Sequence, residues 1–159
     1  FLKRYLYARF YLQDTTIEYL YFYKEIGKGS FGAVSLVSNR KTKHTYALKC
    51  MSRTHIDYEG LHTNVNLEKS LLLKIDHPFI VKLVKTMKDG AKFIFFLMEF
   101  VRGKEMFDVI RDIGFLNDDE NKFFIGSLLL AIDYLHERNI VYRDLKPENI
   151  IVCDNVRFN

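Results

Sequence analysis

Alternating apolar and polar positions follow residue 20, which is the pattern of half-buried β-strands. The strands predicted on this basis are Tyr21–Gly27, Ala33–Asn39, His44–Met51, Ile80–Met87 and Lys92–Phe100. Glycines separate the first two strands, a polar turn separates the second and third, and a turn containing Asp89-Gly90 joins the last two. The first 100 residues therefore predict a sheet rather than a helical bundle.

The apolar period changes to a helical one at three places. Around Leu61–Ile75, apolar residues recur at helical spacing and Glu68 falls on the same face as this stripe. A short helix is predicted over Met106–Ile113, ended by Gly114. A long helix is predicted from Asp118 to about Arg138, because Asn117 followed by Glu120 is typical of a capping box. Its buried face is expected to hold Phe124, Leu128, Ala131 and Leu135.

Composition excludes several classes of protein. The 159 residues are 48% apolar and 28% charged, which is typical of a globular chain and excludes disordered and collagen-like sequences. No window reaches the ~18 consecutive apolar residues of a membrane span. The net charge of +4 comes without a basic stripe, so no nucleic-acid partner is expected. Cys50 and Cys153 form no disulfide framework, which favours a reducing, cytoplasmic location.

Residues 1–20 form an aromatic and basic extension, in which Leu2, Leu6 and Phe10 share one face of a possible short helix. One interpretation is that these aromatic side chains pack on a neighbouring lobe. The alternative is a helix at a membrane surface. Asp14, Glu18 and the small charge excess argue against the membrane interpretation.

A glycine-rich segment joins the first two predicted strands and reads Gly27-Lys28-Gly29-Ser30-Phe31-Gly32-Ala33-Val34. Glycines allow a backbone to approach phosphates closely and to present N–H groups to them. The dinucleotide-binding form of this motif requires a helix directly afterwards, whereas a strand is predicted here. A phosphate-binding hairpin and a hairpin without a ligand both remain open on this motif alone.

Lys49 ends the apolar run Tyr46-Ala47-Leu48, where an inward-facing ammonium group is costly unless it meets an anion. Glu68 offers that anion on the following helix. A buried Lys–Glu pair contributes little net stability, so its presence indicates a task such as holding a phosphate. The alternative is a lysine on an edge strand whose ammonium group reaches water.

A third motif reads Tyr142-Arg143-Asp144-Leu145-Lys146-Pro147-Glu148-Asn149. Within one loop, Asp144 offers a proton acceptor, Lys146 a cation and Asn149 a metal-binding amide. A generic anion-binding domain does not account for this loop.

The three motifs in this order resemble the eukaryotic protein kinase domain over about residues 21–156. Tyr142 in place of His is similar to the AGC group, and residues 144–149 are similar to serine/threonine kinases. Residues 135–143 are similar to cyclic-nucleotide-dependent kinases, and the cGMP-dependent type is favoured among these. The resemblance implies an α+β, two-lobe fold. A complete N-lobe at about 21–100 would hold a five-stranded antiparallel sheet and one helix, and a truncated, mainly helical C-lobe would occupy about 101–159.

The same resemblance implies ATP and Mg²⁺ as ligands and assigns a role to each matching position. Asp144 would accept the proton of the substrate hydroxyl, Lys146 would steady the transferred phosphoryl group, and Asn149 would hold one Mg²⁺. Lys49, held by Glu68, would contact the α- and β-phosphates. The remaining nucleotide-binding positions would be Gly27, Lys28, Gly29, Ser30, Phe31, Gly32, Val34, Ala47, Met98, Glu99, Val101, Glu105 and Ile151. Glu105 and Glu148 would also bind basic residues of a protein substrate.

The sequence departs from this family in two places. The D-F-G segment that supplies the main Mg²⁺ ligand is absent from residues 1–159, so the chain by itself is expected not to transfer phosphate. Lys104 stands where the subfamily usually has Gly. The two functions to be weighed are a fragment of an ATP-dependent serine/threonine kinase with basic-directed specificity and an inactive, pseudokinase-like module that binds a nucleotide or a partner. Regulatory cyclic-nucleotide-binding domains would lie before Phe1.

Overall fold

The computed structural model describes residues 16–29 and 32–154. Residue contacts divide them into two compact units. The first unit comprises the described residues up to Ile75 together with Lys82–Phe100, and the second comprises Asp76–Val81 and the described residues from Val101 onward. No helix in this described part is long and apolar enough to cross a membrane.

The first unit is built on a five-stranded antiparallel sheet with the order β1-β2-β3-β5-β4. Its strands are β1 Leu20–Gly29, β2 Gly32–Asn39, β3 Thr45–Ser52, β4 Leu83–Asp89 and β5 Phe93–Glu99. After a short 3-10 turn at Ile17–Tyr19, β1 forms an edge strand, and β3 lies between β2 and β5. Two helices follow β3, namely α1 over Arg53–Tyr58 and α2 over His62–Leu72.

The two faces of this sheet bury different clusters because successive side chains of a strand point to opposite sides. One cluster contains Leu20, Val37, Tyr46, Leu48, Met87, Phe95 and Leu97. The other contains Met51, Ile56, Val65, Leu83 and Phe96, with Ile56 supplied by α1 and Val65 by α2. Packing on the second face places α2 beside the strand that carries Lys49.

The second unit is mainly helical. It contains α3 over Met106–Ile113 and α4 over Asp118–His136, followed by a 3-10 turn at Pro147–Asn149. A two-stranded antiparallel sheet pairs β6, Gly103–Glu105, with β7, Ile151–Cys153. The capping box at the start of α4 is formed, because Asn117 Oδ1 accepts from the N–H of Glu120 and Glu120 Oε2 accepts from the N–H of Asn117. Phe124, Ala131 and Leu135 are buried as predicted, whereas Leu128 is half-buried.

The predicted α+β fold class, with its five-stranded antiparallel sheet, is confirmed. Two features were not predicted. The six-residue helix α1 is too short to show a helical period, and it begins at an N-cap where Ser52 accepts from the N–H of His55. The three-residue strands β6 and β7 exist only because distant segments pair, which no local pattern shows. The helix expected around Leu2, Leu6 and Phe10 lies outside the described residues.

Candidate functional site

The glycine-rich motif is a hairpin between β1 and β2. Gly27, Lys28 and Gly29 end β1, Gly32 starts β2, and Gly27 is paired with Val34. Ser30 and Phe31, at the tip, lie outside the described residues. A Cβ atom built on Gly27 or Gly29 would meet its nearest described neighbour at 3.8 or 3.9 Å, an ordinary contact. The described fold therefore does not itself require glycine at these two positions.

Gly32 differs because the packing of the sheet demands it. Its φ is +146°, and a Cβ atom there would lie 1.9 Å from the carbonyl oxygen of Cys50 on β3. A backbone approach this close admits only glycine, whatever ligand the hairpin binds. The motif thus contains one glycine with a structural reason and two for which the described residues supply none.

Lys49 lies on the central strand β3, so the alternative of a lysine on an edge strand is wrong. Its Nζ is 2.7 Å from Oε1 of Glu68 on α2, and the two side chains are 20% and 38% exposed. Strand register places Gly27, Val34 and Lys49 side by side across β1, β2 and β3. Since Ala47 is two residues from Lys49, it lies on the same face of the sheet. The first unit therefore brings a glycine hairpin, an apolar surface and an ion-paired ammonium group together.

The end of β5 contains Met98 and Glu99, and Met98 is paired with Ala47. Glu99 is linked twice to Lys82: its N–H donates to the Lys82 carbonyl oxygen at 3.0 Å, and its Oε1 accepts from the Lys82 N–H at 2.9 Å. These bonds fix the backbone where the resemblance implies adenine binding. Val101 follows this strand and is half-buried.

The loop at 142–149, in the second unit, brings two of the predicted residues, Lys146 and Asn149, to the carboxylate of a third, Asp144. Lys146 Nζ is 3.0 Å from Asp144 Oδ1, and Asn149 Nδ2 donates to both Oδ2 and the carbonyl oxygen of Asp144 at 2.8 Å. The hydrogen bond from Lys146, followed by that from Asn149, lowers the pKa of Asp144 below its ordinary value of 3.8. The bond to Asp144 in turn raises the pKa of Lys146 above 10.5. Asp144 is therefore ionised at neutral pH.

Backbone geometry connects this loop to Glu105. Ile151, at the start of β7, is paired with Glu105 at the end of β6, and the N–H of Met106 donates to the carbonyl oxygen of Ile150. A Cβ atom on Gly103 would lie 2.1 Å from the Val152 carbonyl oxygen. Sequence reasoning missed Gly103, since nothing near it in the chain indicates that β7 passes so close. Glu148 is exposed in the 3-10 turn.

The structure thus forms two groups of predicted residues, each within its own unit. The first unit holds Gly27, Val34, Ala47, Lys49, Glu68 and Met98, and the second holds Asp144, Lys146, Asn149, Glu105 and Ile151. Their assigned roles in binding and catalysis stay predictions.

Comparisons with known proteins match this chain to protein kinases. The family model described as the protein kinase domain matches residues 20–158. Over 146 residues, 91% of this chain, the sequence is 48% identical to a cGMP-dependent protein kinase of Plasmodium berghei and 44% identical to one of Eimeria tenella. Over 127 residues, 80% of the chain, it is 41% identical to the human cAMP-dependent protein kinase catalytic subunit PRKX. These matches cover 17%, 14% and 35% of the respective relatives, so the chain spans only a small part of their length.

The family match covers almost all of the described residues, including both groups of predicted site residues. The relatives confirm the resemblance to cyclic-nucleotide-dependent, AGC-type kinases. The chain belongs to the protein kinase domain family.

Proposed function

We propose that this chain is part of the catalytic domain of an ATP-dependent serine/threonine protein kinase, which transfers the γ-phosphate to Ser or Thr hydroxyl groups near basic residues. The observation that carries the proposal is the Lys49–Glu68 ion pair at 2.7 Å on the central strand of the sheet. The kinase names of the relatives support the same reaction class.

The ion pair suits a phosphate-binding role better than a stabilising one. Lys49 is 20% exposed, so its ammonium group has lost much of its hydration, and pairing with the Glu68 carboxylate compensates for only part of this desolvation cost. An ATP phosphate would add a further anion to the same ammonium group. Phosphoryl transfer depends mainly on such positioning and charge compensation, because little covalent chemistry is left for the protein to do.

The glycine hairpin supports nucleotide binding because packing among the described residues does not explain two of its glycines. Gly27 and Gly29 have room for a side chain among the described residues, so their glycines are better explained by a ligand that approaches the backbone. Val34 and Ala47, on the same face as Lys49, offer an apolar surface for adenine. Met98 and Glu99, at the end of β5 in the same unit, are assigned to the same base through the family resemblance.

In the second unit, the Asp144 carboxylate would orient the substrate hydroxyl and accept its proton. Its lowered pKa keeps it ionised, and the bonds from Lys146 and Asn149 hold it in one orientation. Lys146 would also compensate charge on the transferred group. Glu105 and Glu148 are proposed to bind basic residues of the substrate.

The donor atoms in this loop fit Mg²⁺. The Asn149 amide nitrogen donates to Asp144, which leaves the amide oxygen, accepting no hydrogen bond from the described residues, to bind the ion. Amide and carboxylate oxygens are the ligands that Mg²⁺ prefers, so Asn149 would hold the ion. When bound, Mg²⁺ would neutralise charge on the ATP phosphates.

Equilibrium binding of a fluorescent ATP analogue to the 159-residue chain tests the nucleotide site. Lys49→Met is expected to weaken binding at least about tenfold, since an ion pair with phosphate is lost. Lys88→Met is the matched control, because it removes the same charge from an exposed position on β4. Equal binding by both variants would contradict the proposed role of Lys49.

Catalysis requires a separate test, because the 159-residue chain contains no D-F-G and is expected to bind nucleotide without turnover. Sequencing of the transcript beyond Asn159 shows whether a D-F-G codon series follows. A protein extended to the end of that reading frame should phosphorylate a Ser peptide with basic residues, and Asp144→Asn should abolish the transfer. Nucleotide binding without transfer by the extended protein would instead support the pseudokinase-like alternative.

A further inference from the structure

Lys104 is one of the two places where this chain is expected to depart from the subfamily, and the structure shows where its charge lies. Its Nζ is 3.1 Å from Oδ2 of Asp112, in the last turn of α3. Lys104 immediately precedes Glu105 at the end of β6, whereas Asp112 is six residues beyond Met106, about 9 Å along the axis of α3. Asp112 therefore draws the Lys104 ammonium group towards the C-terminal end of α3, whereas Glu105 lies at the N-terminal end.

Apart from Glu105, the other charged residues of segment 102–112 also form ion pairs. Arg111 is 2.8 Å from Asp108 and 3.7 Å from Asp112, and Arg102 is 4.0 Å from Asp154. Glu105, in contrast, makes no ion pair within the described residues. The segment thus leaves one carboxylate without a cation at the position assigned to substrate recognition.

Without Asp112, the Lys104 ammonium group would lose its partner while staying next in sequence to Glu105. The four methylene groups of lysine allow it to reach neighbouring surface carboxylates. A cation close to Glu105 would offset the negative charge that attracts a basic side chain of a substrate. Hydrogen bonds and the nearby positive charge of Lys104 also lower the pKa of Asp112, so this partner stays ionised at neutral pH.

We infer that Asp112 is a positioning residue for substrate selectivity: it holds the Lys104 ammonium group away from Glu105, which leaves the Glu105 carboxylate available to a basic side chain of the substrate. This inference rests on the proposed function, because that proposal assigns substrate binding to Glu105. The ion pair itself is exposed, and such pairs contribute little to stability. The ion pair therefore determines where the Lys104 charge lies and does little to stabilise the fold.

Peptide binding by the 159-residue chain tests this inference without requiring catalysis. The probes are two fluorescent heptapeptides centred on Ser, one with Arg two and three residues before it and one with Ala at both positions. Fluorescence anisotropy at low ionic strength gives the preference, defined as the ratio of the two dissociation constants. We expect the wild type to prefer the Arg peptide and Asp112→Asn to reduce that preference about three- to fivefold, the effect of one nearby charge in a largely aqueous setting.

Two further variants separate charge placement from a general effect of lost negative charge. The double variant Asp112→Asn, Lys104→Met should restore the preference, because no misplaced ammonium group remains. Asp108→Asn, on the same helix, removes the same charge but has Arg111 as its partner and should leave the preference unchanged. Unchanged preference in Asp112→Asn, an equal loss in Asp108→Asn, or a wild type that does not distinguish the peptides would overturn the inference.

Phosphate transfer is measured separately on the same peptides with the extended protein. Absence of transfer, with the binding preferences as expected, would contradict the proposed kinase reaction and leave the role of Asp112 supported. Phosphate transfer with a peptide preference that Asp112→Asn does not change would support the kinase reaction and contradict the role of Asp112.

Discussion

Replacement of Gly32 by Ala tests whether this glycine serves the sheet rather than a ligand. The added Cβ atom would lie 1.9 Å from the Cys50 carbonyl oxygen, whereas an ordinary contact between carbon and oxygen is about 3.3 Å. Strand β2 would therefore have to move about 1.4 Å away from β3 at this point. Such a shift breaks the hydrogen bonding near the Gly32–Met51 and Ala33–Cys50 pairs.

The expected cost follows from two contributions. Loss of one or two strand hydrogen bonds costs about 1 kcal/mol each. An alanine forced to a φ of +146° adds about 1–3 kcal/mol of backbone strain. We therefore expect Gly32→Ala to lower the free energy of unfolding by about 3 kcal/mol, which corresponds to a fall in Tm of about 6–12 °C for a chain of this size.

Thermal unfolding followed by circular dichroism measures this change, and hydrogen exchange of the β2 and β3 amides shows where it acts. Gly27→Ala is the matched control, because its Cβ atom would lie 3.8 Å from the Val34 Cβ atom and should change stability by less than about 1 kcal/mol. A Gly32→Ala protein that melts within about 2 °C of the Gly27→Ala protein would refute the steric reasoning.

Three further predictions concern the site residues. Glu68→Gln should weaken ATP binding about three- to tenfold, because an amide holds the Lys49 ammonium group less firmly than the carboxylate at 2.7 Å; unchanged binding by calorimetry would show that Lys49 needs no such partner. Lys146→Met should raise the pKa of Asp144, because the hydrogen bond that chiefly lowers it is lost. Since a carboxyl whose pKa is lowered in the folded state stabilises that state above its unfolded pKa, the Asp144 contribution should disappear as the pH falls through the folded value, and at a higher pH in the variant. Carbon-detected NMR of the carboxyl groups measures both titrations, and coincident curves would contradict the prediction. Gly103→Ala should lower the free energy of unfolding of the second unit by about 2 kcal/mol, since its Cβ atom would lie 2.1 Å from the Val152 carbonyl oxygen; protected amides of β6 and β7 in hydrogen exchange would argue against it.

Much of the fold was readable from local patterns. Alternation in the strands and helical spacing in α2, α3 and α4 are properties of consecutive residues, so the predicted bounds differ from the observed ones by only a few residues. The capping box of α4 was likewise predicted from Asn117 and Glu120, because both partners lie within four residues of each other. Helix α1 was not predicted, since its six residues are too few to show a helical period of apolar positions.

The candidate site was predictable for a different reason. The glycine motif, the Lys49 strand and the loop at 142–149 are unusual in residue type, so they could be recognised before any contact was known. The pairing of Lys49 with Glu68 was also predicted, because both were chemically costly unless they met. The sequence did not predict contacts between groups that are common in any surface segment. Examples are the ion pair of Lys104 with Asp112 and the hydrogen bonds between Glu99 and Lys82.

The sequence by itself determined the family, the order of the elements and the identity of the chemically active residues, because each depends on the type and spacing of nearby residues. Only the tertiary structure decided why Gly32 and Gly103 must be glycine and where the Lys104 charge lies. It also showed that Lys49 is on a central strand rather than at an edge. The physical reason is that close approach and charge placement depend on atoms that are distant in the chain, and these are fixed only when strands and helices pack together.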